Sequence, residues 1–201
     1  ACRRRGLCVS LGFAMARQNL PEALKVASFS KERGLRCDFL AVVPAGRAGP
    51  EALPDRRSYS SALRALMREY SAAPMNLCQS LEAPSISVYE ASYAALMAEE
   101  GLGEPPRLCS IGSLLHVMED GWARPCVFLP FELGSVRRRP LSELWAKLRE
   151  SRFFSRLMDP DALKGSCGEC RYRRICGGCR ARAYRLLGDP FAEDPMCALA
   201  G

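Results

Sequence analysis

Two almost wholly apolar runs stand near the start of the chain, Leu7–Ala14 and Cys37–Val43, and each predicts a β-strand buried on both faces. Between them Asn19, Pro21 and Glu22 open a helix that runs to about Arg33, with Asn19 as N-cap and Gly34 just past its end. Strand, helix and strand within about forty residues make a βαβ unit, so the two strands should be parallel. Two strands do not form a stable sheet alone. Together with the lack of an initiator Met, this predicts a chain that begins inside a domain and folds poorly by itself.

Residues 44–57 read as a Pro/Gly/Arg loop, and Tyr59–Tyr70 as an amphipathic helix with Leu63, Leu66 and Met67 on one face. Residues 74–86 show no period. Val88–Glu100 predicts a helix, stopped by Gly101-Leu102-Gly103 and Pro105-Pro106. Ser113–Met118, the turn Glu119-Asp120-Gly121 and the run from Trp122 predict a β-hairpin. Leu141–Met158 predicts one helix opened by Pro140, with Leu141, Leu144, Trp145 and Leu148 inward. Arg180–Leu187 predicts a short helix ended by Gly188. There is no internal repeat and no low-complexity tract.

Composition narrows the class. The chain has 201 residues, 48% of them apolar, so a real core is available. No run approaches a membrane span, and the basic N-terminus lacks a cleavage site, so neither a transmembrane helix nor a signal peptide is expected. Eleven cysteines, an odd number with a cluster in the last third, favour metal binding in a reducing, cytoplasmic setting over disulfides. The net charge of +7 comes from knots of arginine: Arg3 to Arg5, Arg137 to Arg139, then Arg171, Arg173, Arg174, Arg180, Arg182 and Arg185. These read as solvated faces or as cations that offset the charge of nearby thiolates. A nucleic-acid surface asks for interleaved aromatics, which Tyr172 and Tyr184 barely supply, so no such partner is expected.

The cysteines carry the chemistry. Within 167–179 the spacing is C-x2-C-x5-C-x2-C, and each two-residue gap lets a tight turn aim two thiolates at one centre. Iron–sulfur clusters are held by such closely spaced cysteines with a distant partner. Cys197 is a candidate partner, and Cys109 and Cys126 are candidates for a second centre. Zinc also takes thiolates, but a zinc ribbon separates its two knuckles by roughly fifteen to twenty residues. Seven cysteines at short spacing favour clusters over one zinc. Cys8 and Cys37 fall in the apolar runs and read as core residues; Cys2 and Cys78 have no assigned role.

From Cys109 to Cys197 the chain resembles the SPASM domain, the auxiliary-cluster module of radical S-adenosylmethionine (SAM) enzymes. The residues that carry the likeness are Cys109, Gly121-Trp122-Ala123-Arg124-Pro125-Cys126, Gly134-Ser135-Val136, Pro140-Leu141-Ser142-Glu143-Leu144-Trp145, Cys167-Gly168-Glu169-Cys170, Cys176-Gly177-Gly178-Cys179-Arg180-Ala181-Arg182-Ala183-Tyr184, Gly188-Asp189 and Asp194-Pro195-Met196-Cys197. The element at 176–184 looks most like members acting on haem precursors. Residues 1–48 resemble the last two strands of the radical SAM barrel, with Arg17-Gln18-Asn19 after one strand and Pro44-Ala45-Gly46-Arg47 after the next. Arg17 and Asn19 thus suit either the SAM end of that barrel or a helix cap. The resemblance implies an α/β chain: a C-terminal fragment of a partial (β/α)6 barrel in 1–48, a helical connector in 49–104, and a cysteine-rich α+β SPASM domain in 105–201.

It also implies two auxiliary 4Fe–4S clusters, an outer one on Cys167, Cys170, Cys176 and Cys197 and an inner one on Cys109, Cys126 and Cys179. The chain departs from the pattern in two ways. The last pair is C-x2-C where many members have C-x3-C, and an eighth cysteine before the G-x4-C element is absent. The inner cluster would then have an open iron, for which His116, the single histidine, is a candidate ligand; an ordinary strand histidine is the favoured reading of it. No cysteine is followed by others at the spacing C-x3-C-x2-C, and no glycine-rich SAM strand is visible. This chain should therefore not cleave SAM alone. SAM and a third cluster would belong to a missing N-terminal half. A haem precursor or a peptide is the implied substrate, and ferredoxin or flavodoxin the implied electron partner. A stand-alone electron-transfer protein and a zinc-binding interaction module remain the alternatives.

Overall fold

A computed structural model describes residues 7, 9–74, 85–109 and 111–199. Cys2, Cys8 and Cys78 lie outside the described residues. Contacts divide the chain into two units, Ala1–Leu108 with Met196–Gly201, and Cys109–Pro195.

The first unit is built on a four-stranded, wholly parallel sheet. Its strands are β1 (Ser10–Met15), β2 (Arg36–Ala41), β3 (Ala73–Pro74) and β4 (Ile86–Tyr89), in the spatial order β1-β2-β4-β3. The register aligns Phe13 with Phe39, Phe39 with Val88, and Val88 with Pro74. The Phe13 and Phe39 rings lie 5.4 Å apart between centroids. The parallel pairing follows the βαβ pattern, but two expectations need correction. β1 is an edge strand whose burial alternates, with Ser10, Gly12 and Ala14 exposed, so it is not covered on both faces. Those three small side chains form one side of the strand, and no described layer covers it.

Second, the predicted helix over Val88–Glu100 is divided. Ile86–Tyr89 is a strand, and helix α3 begins only at Tyr93 and ends at Glu99. Three buried positions in a four-residue strand leave no room for an alternating period to show, and the Ala-rich stretch behind it masks the boundary.

Helix α1 (Ala23–Glu32) follows a 3-10 turn at Leu20–Glu22 and buries Ala23, Ala27 and Ser30, small residues that let it pack close to β1, β2 and β4. Asn19 does not cap it: its Oδ1 accepts from Ala16 N at 2.9 Å and its Nδ2 donates to Ala14 O at 2.9 Å, so it fastens the chain leaving β1. Arg17 likewise braces a loop, its Nε donating to Leu53 O at 2.9 Å. Helix α2 (Arg56–Tyr70) buries Tyr59, Ser60, Leu63, Leu66 and Met67, the expected stripe. Cys37 is fully buried in β2, and burial pushes its thiol up to about 11.

A buried polar knot ties the chain's end to this unit. Tyr59 OH donates to Glu90 Oε2 at 2.7 Å, and Ser92 N and Oγ both donate to Glu90 Oε1 at 3.0 Å. Ser92 Oγ in turn accepts from Ala198 N, and Ser60 Oγ donates to Ala198 O at 2.6 Å.

The second unit holds a small antiparallel sheet of β5 (His116–Val117), β6 (Trp122–Arg124) and β7 (Gly134–Ser135). The expected hairpin is present, with His116 opposite Arg124 and Val117 opposite Ala123. The single helix expected over Leu141–Met158 is two, α4 (Leu141–Glu150) and α5 (Arg152–Met158), broken where Ser151 turns extended. The break aims Phe154 and Leu157 inward, and it changes the inner face. Leu144 and Leu148 are fully buried, whereas Leu141 is 55% and Trp145 40% exposed. Phe153 meets Phe131, Phe154 and Phe191 edge-on, and Phe131 meets Tyr184, in one aromatic cluster.

Helices α6 (Gly165–Glu169) and α7 (Arg180–Leu187) complete the unit. Gly188 ends α7 in the left-handed region at φ +73°, with nothing near the place a Cβ would occupy. Gly188→Ala is therefore expected to cost only the backbone penalty, about 1 kcal/mol, read as a lower urea midpoint at unchanged slope.

Candidate metal centre

The residues from Cys167 to Cys179 run from α6 through a turn at 171–175 to the start of α7. Cys167 is buried in α6, and Cys170 ends that helix in extended backbone. Cys176 follows a turn closed by its own N–H on Tyr172 O at 2.9 Å. Gly177 and Gly178 then take consecutive left-handed conformations, φ +73° and +61°. A Cβ on Gly178 would stand 2.6 Å from an Arg180 guanidinium nitrogen, 2.9 Å from Asp194 Cβ and 3.3 Å from Cys167 Sγ. A glycine there lets the Cys176 turn close against Cys167.

Three thiols of this segment each receive a backbone N–H. Tyr172 N donates to Cys170 Sγ at 3.4 Å, Gly178 N to Cys176 Sγ at 3.3 Å and Asp194 N to Cys167 Sγ at 3.4 Å. A neutral thiol is a weak acceptor. Three backbone donors are thus aimed at three sulfurs of one short segment.

Cys109 lies near enough to Cys126 and to Cys179 to influence both thiols. Burial raises the Cys126 thiol, and the nearby Cys109 adds to the rise. Cys179 is pushed up to about 12, first by burial; Arg182 opposes this, while Asp194 and Cys109 reinforce it. Cys167 is raised by burial too, opposed by the Asp194 N–H and by Arg180 and reinforced by Asp194 and Cys170. So Cys109 acts on Cys126 and Cys179, and Cys170 acts on Cys167. Cys197 belongs to the first unit. His116 is half-buried in β5, and burial lowers its pKa. Among the described residues, no three or more His, Cys, Asp or Glu side chains are grouped so as to hold a metal ion.

The burial of the polar groups around these thiols, and the pairing of Arg182 with Asp194, are not legible in the sequence. Arg180 and Arg182, read as surface cations or charge offsets, are each 1% exposed. Arg182 holds Asp194 with two bonds, Nε to Oδ1 at 3.0 Å and an outer nitrogen to Oδ2 at 2.6 Å. Asp194 Oδ2 also accepts from Cys179 N at 2.7 Å, the amide of the residue just before α7. The one available signal was the alternation Arg180-Ala181-Arg182-Ala183, where short side chains flank the arginines and leave no apolar stripe to face the core.

Comparison with known proteins follows the same lines. No family model matches the chain. AdoMet-dependent heme synthase of Methanosarcina barkeri is 29% identical over 210 residues, covering 97% of this chain and 57% of that protein. AdoMet-dependent heme synthase of Nitratidesulfovibrio vulgaris is 37% identical over 99 residues, 49% of this chain and 26% of that protein. Pre-heme d1 synthase of Dinoroseobacter shibae is 30% identical over 227 residues, 99% of this chain and 54% of that protein. The chain spans about half the length of the curated relatives that match it throughout. No helix among the described residues is long and apolar enough to cross a membrane. The chain is a homologue of AdoMet-dependent heme synthases and of pre-heme d1 synthase, radical SAM enzymes of the haem-biosynthesis type.

Proposed function

We propose that this chain is the auxiliary-cluster portion of a radical SAM enzyme that modifies a haem precursor. A SPASM domain holds two 4Fe–4S clusters, and the parallel strands form part of the SAM-binding barrel. The observation that carries the reading is the set of three backbone N–H groups on Cys170, Cys176 and Cys167. Hydrogen bonds to ligating sulfurs are among the levers that set cluster properties. The donor chemistry suits such a group: soft thiols close together along the sequence, with a buried guanidinium 4.0 Å from Cys167 Sγ. Cys167, Cys170, Cys176 and Cys197 would hold one cluster, and Cys109, Cys126 and Cys179 the other. Bound clusters would supply one-electron transfer or an open iron for a substrate atom. SAM and its own cluster would be held by a region outside this chain, and a small iron–sulfur or flavin protein would exchange electrons with it. The names of the relatives favour a haem precursor over a peptide.

Anaerobic reconstitution tests this directly. The chain is expected to take up about eight irons and as much sulfide, with broad absorption near 400 nm. Cys126→Ala and Cys170→Ala should each reduce this to about four irons, and the double variant to almost none. A colourless protein with about one zinc would refute the reading. His116→Ala with an unchanged cluster spectrum would remove the histidine from the ligand set.

A further inference from the structure

Of the two buried arginines at the start of α7, only one has a counter-ion. Arg182 is neutralised by Asp194, with both side chains 1% exposed. Arg180 is equally buried, yet it pairs with no carboxylate among the described residues. One of its outer nitrogens donates to Pro190 O at 2.9 Å and Ala192 O at 2.6 Å. The other lies 4.0 Å from Cys167 Sγ, and its Nε is buried with no partner. Asp194, the carboxylate nearby, is taken up by Arg182, and Asp189, which also feels this cation, is paired to Lys164 at 2.6 Å.

An arginine cannot shed its proton to relieve burial. A buried, uncompensated cation costs several kcal/mol, so a fold that retains one has an anion to offset it. A neutral thiol does not supply that charge. A cluster bound by thiolates does, because its net charge is negative and grows by one unit on reduction.

We propose that Arg180 is a positioning residue for the cluster held by Cys167. Its guanidinium offsets that cluster's negative charge and thereby raises the potential of its one-electron couple, from the oxidised 2+ core to the reduced 1+ core. This rests on the cluster reading above. The electron comes from an external one-electron donor, stays on the cluster and breaks no bond. A cation beside the cluster stabilises the reduced, more negative state more than the oxidised one, so its loss shifts the potential downward.

The test uses reconstituted chain in a Cys126→Ala background, so that one cluster remains, and compares Arg180 with Arg180→Lys and Arg180→Gln. Iron content is measured first. Dithionite titration followed by electron paramagnetic resonance then gives the midpoint. Arg180→Gln is expected to shift the midpoint to more negative values, and Arg180→Lys, which keeps the charge, to stay near the parent. If Gln loses the cluster while Lys keeps it at the parent potential, the charge requirement is again supported. An unchanged midpoint in Arg180→Gln at full iron content overturns the proposal and leaves the cluster reading intact. So does equal loss of iron in both variants, or an equal shift in both, since either means a role in shape alone. A parent chain that binds no iron and sulfide overturns the underlying reading instead.

Discussion

Asp194→Ala is expected to destabilise the chain by about 3–5 kcal/mol, the largest effect of any single polar substitution in the second unit. The carboxylate accepts three bonds, two from Arg182 and one from Cys179 N, in a site where both charged partners are 1% exposed. Alanine would leave the Arg182 guanidinium without its carboxylate in low dielectric and the Cys179 N–H, just before α7, without this acceptor. The cost is the penalty of the orphaned groups rather than the worth of the pair. That distinction makes a second expectation. A double variant, Arg182→Met with Asp194→Leu, removes both charges at similar volume and should recover much of the loss. Urea midpoints at constant slope would read both. If Asp194→Ala cost less than about 1 kcal/mol, water would have to reach the pair, contrary to its burial.

The legible parts of this fold are those where a short-range rule and the tertiary structure agree. Helix α7 and its Gly188 stop needed only local chemistry, and so did the hairpin at Gly121 and the face of α2. The parallel pairing of β1 and β2 followed from the length of their connection. What failed depended on neighbours distant in sequence. β1 looked doubly buried because its apolar side chains say nothing about which strand stands at a sheet edge. Ile86–Tyr89 earned its place by pairing with β2, forty-nine positions away at Ser87 and Asp38, not by its own period. The metal-ligand candidates were legible as a spacing, because cysteine is rare and its turns are short. Their surroundings were not. Arg180 and Arg182 carry the same letters as the solvated arginines at 137–139, and only the fold distinguishes a cation beside a thiol from one in water.

Glu90→Ala is expected to be the most damaging polar change in the first unit, at about 3 kcal/mol, because it leaves three buried donors, Tyr59 OH, Ser92 N and Ser92 Oγ, without this acceptor. Tyr59→Phe removes only one of those bonds along with its own donor, and should cost about 1 kcal/mol. The difference matters for the end of the chain. Ser92 Oγ donates to Glu90 and so turns its lone pair toward Ala198 N, while Ser60 holds Ala198 O from the helix beside it. Without Glu90 the hydroxyl is free to rotate, and the grip on Ala198 loosens. Amide exchange at Ala198 should then rise well beyond any change at Val88, which lies inside the sheet. Equal acceleration at both positions would mean that the unit opens as a whole and that the knot holds the sheet rather than the tail. Cys197 is the residue next to Ala198 and the one candidate ligand outside the Cys109–Pro195 unit. The Glu90 knot therefore holds, within the first unit, the backbone next to Cys197.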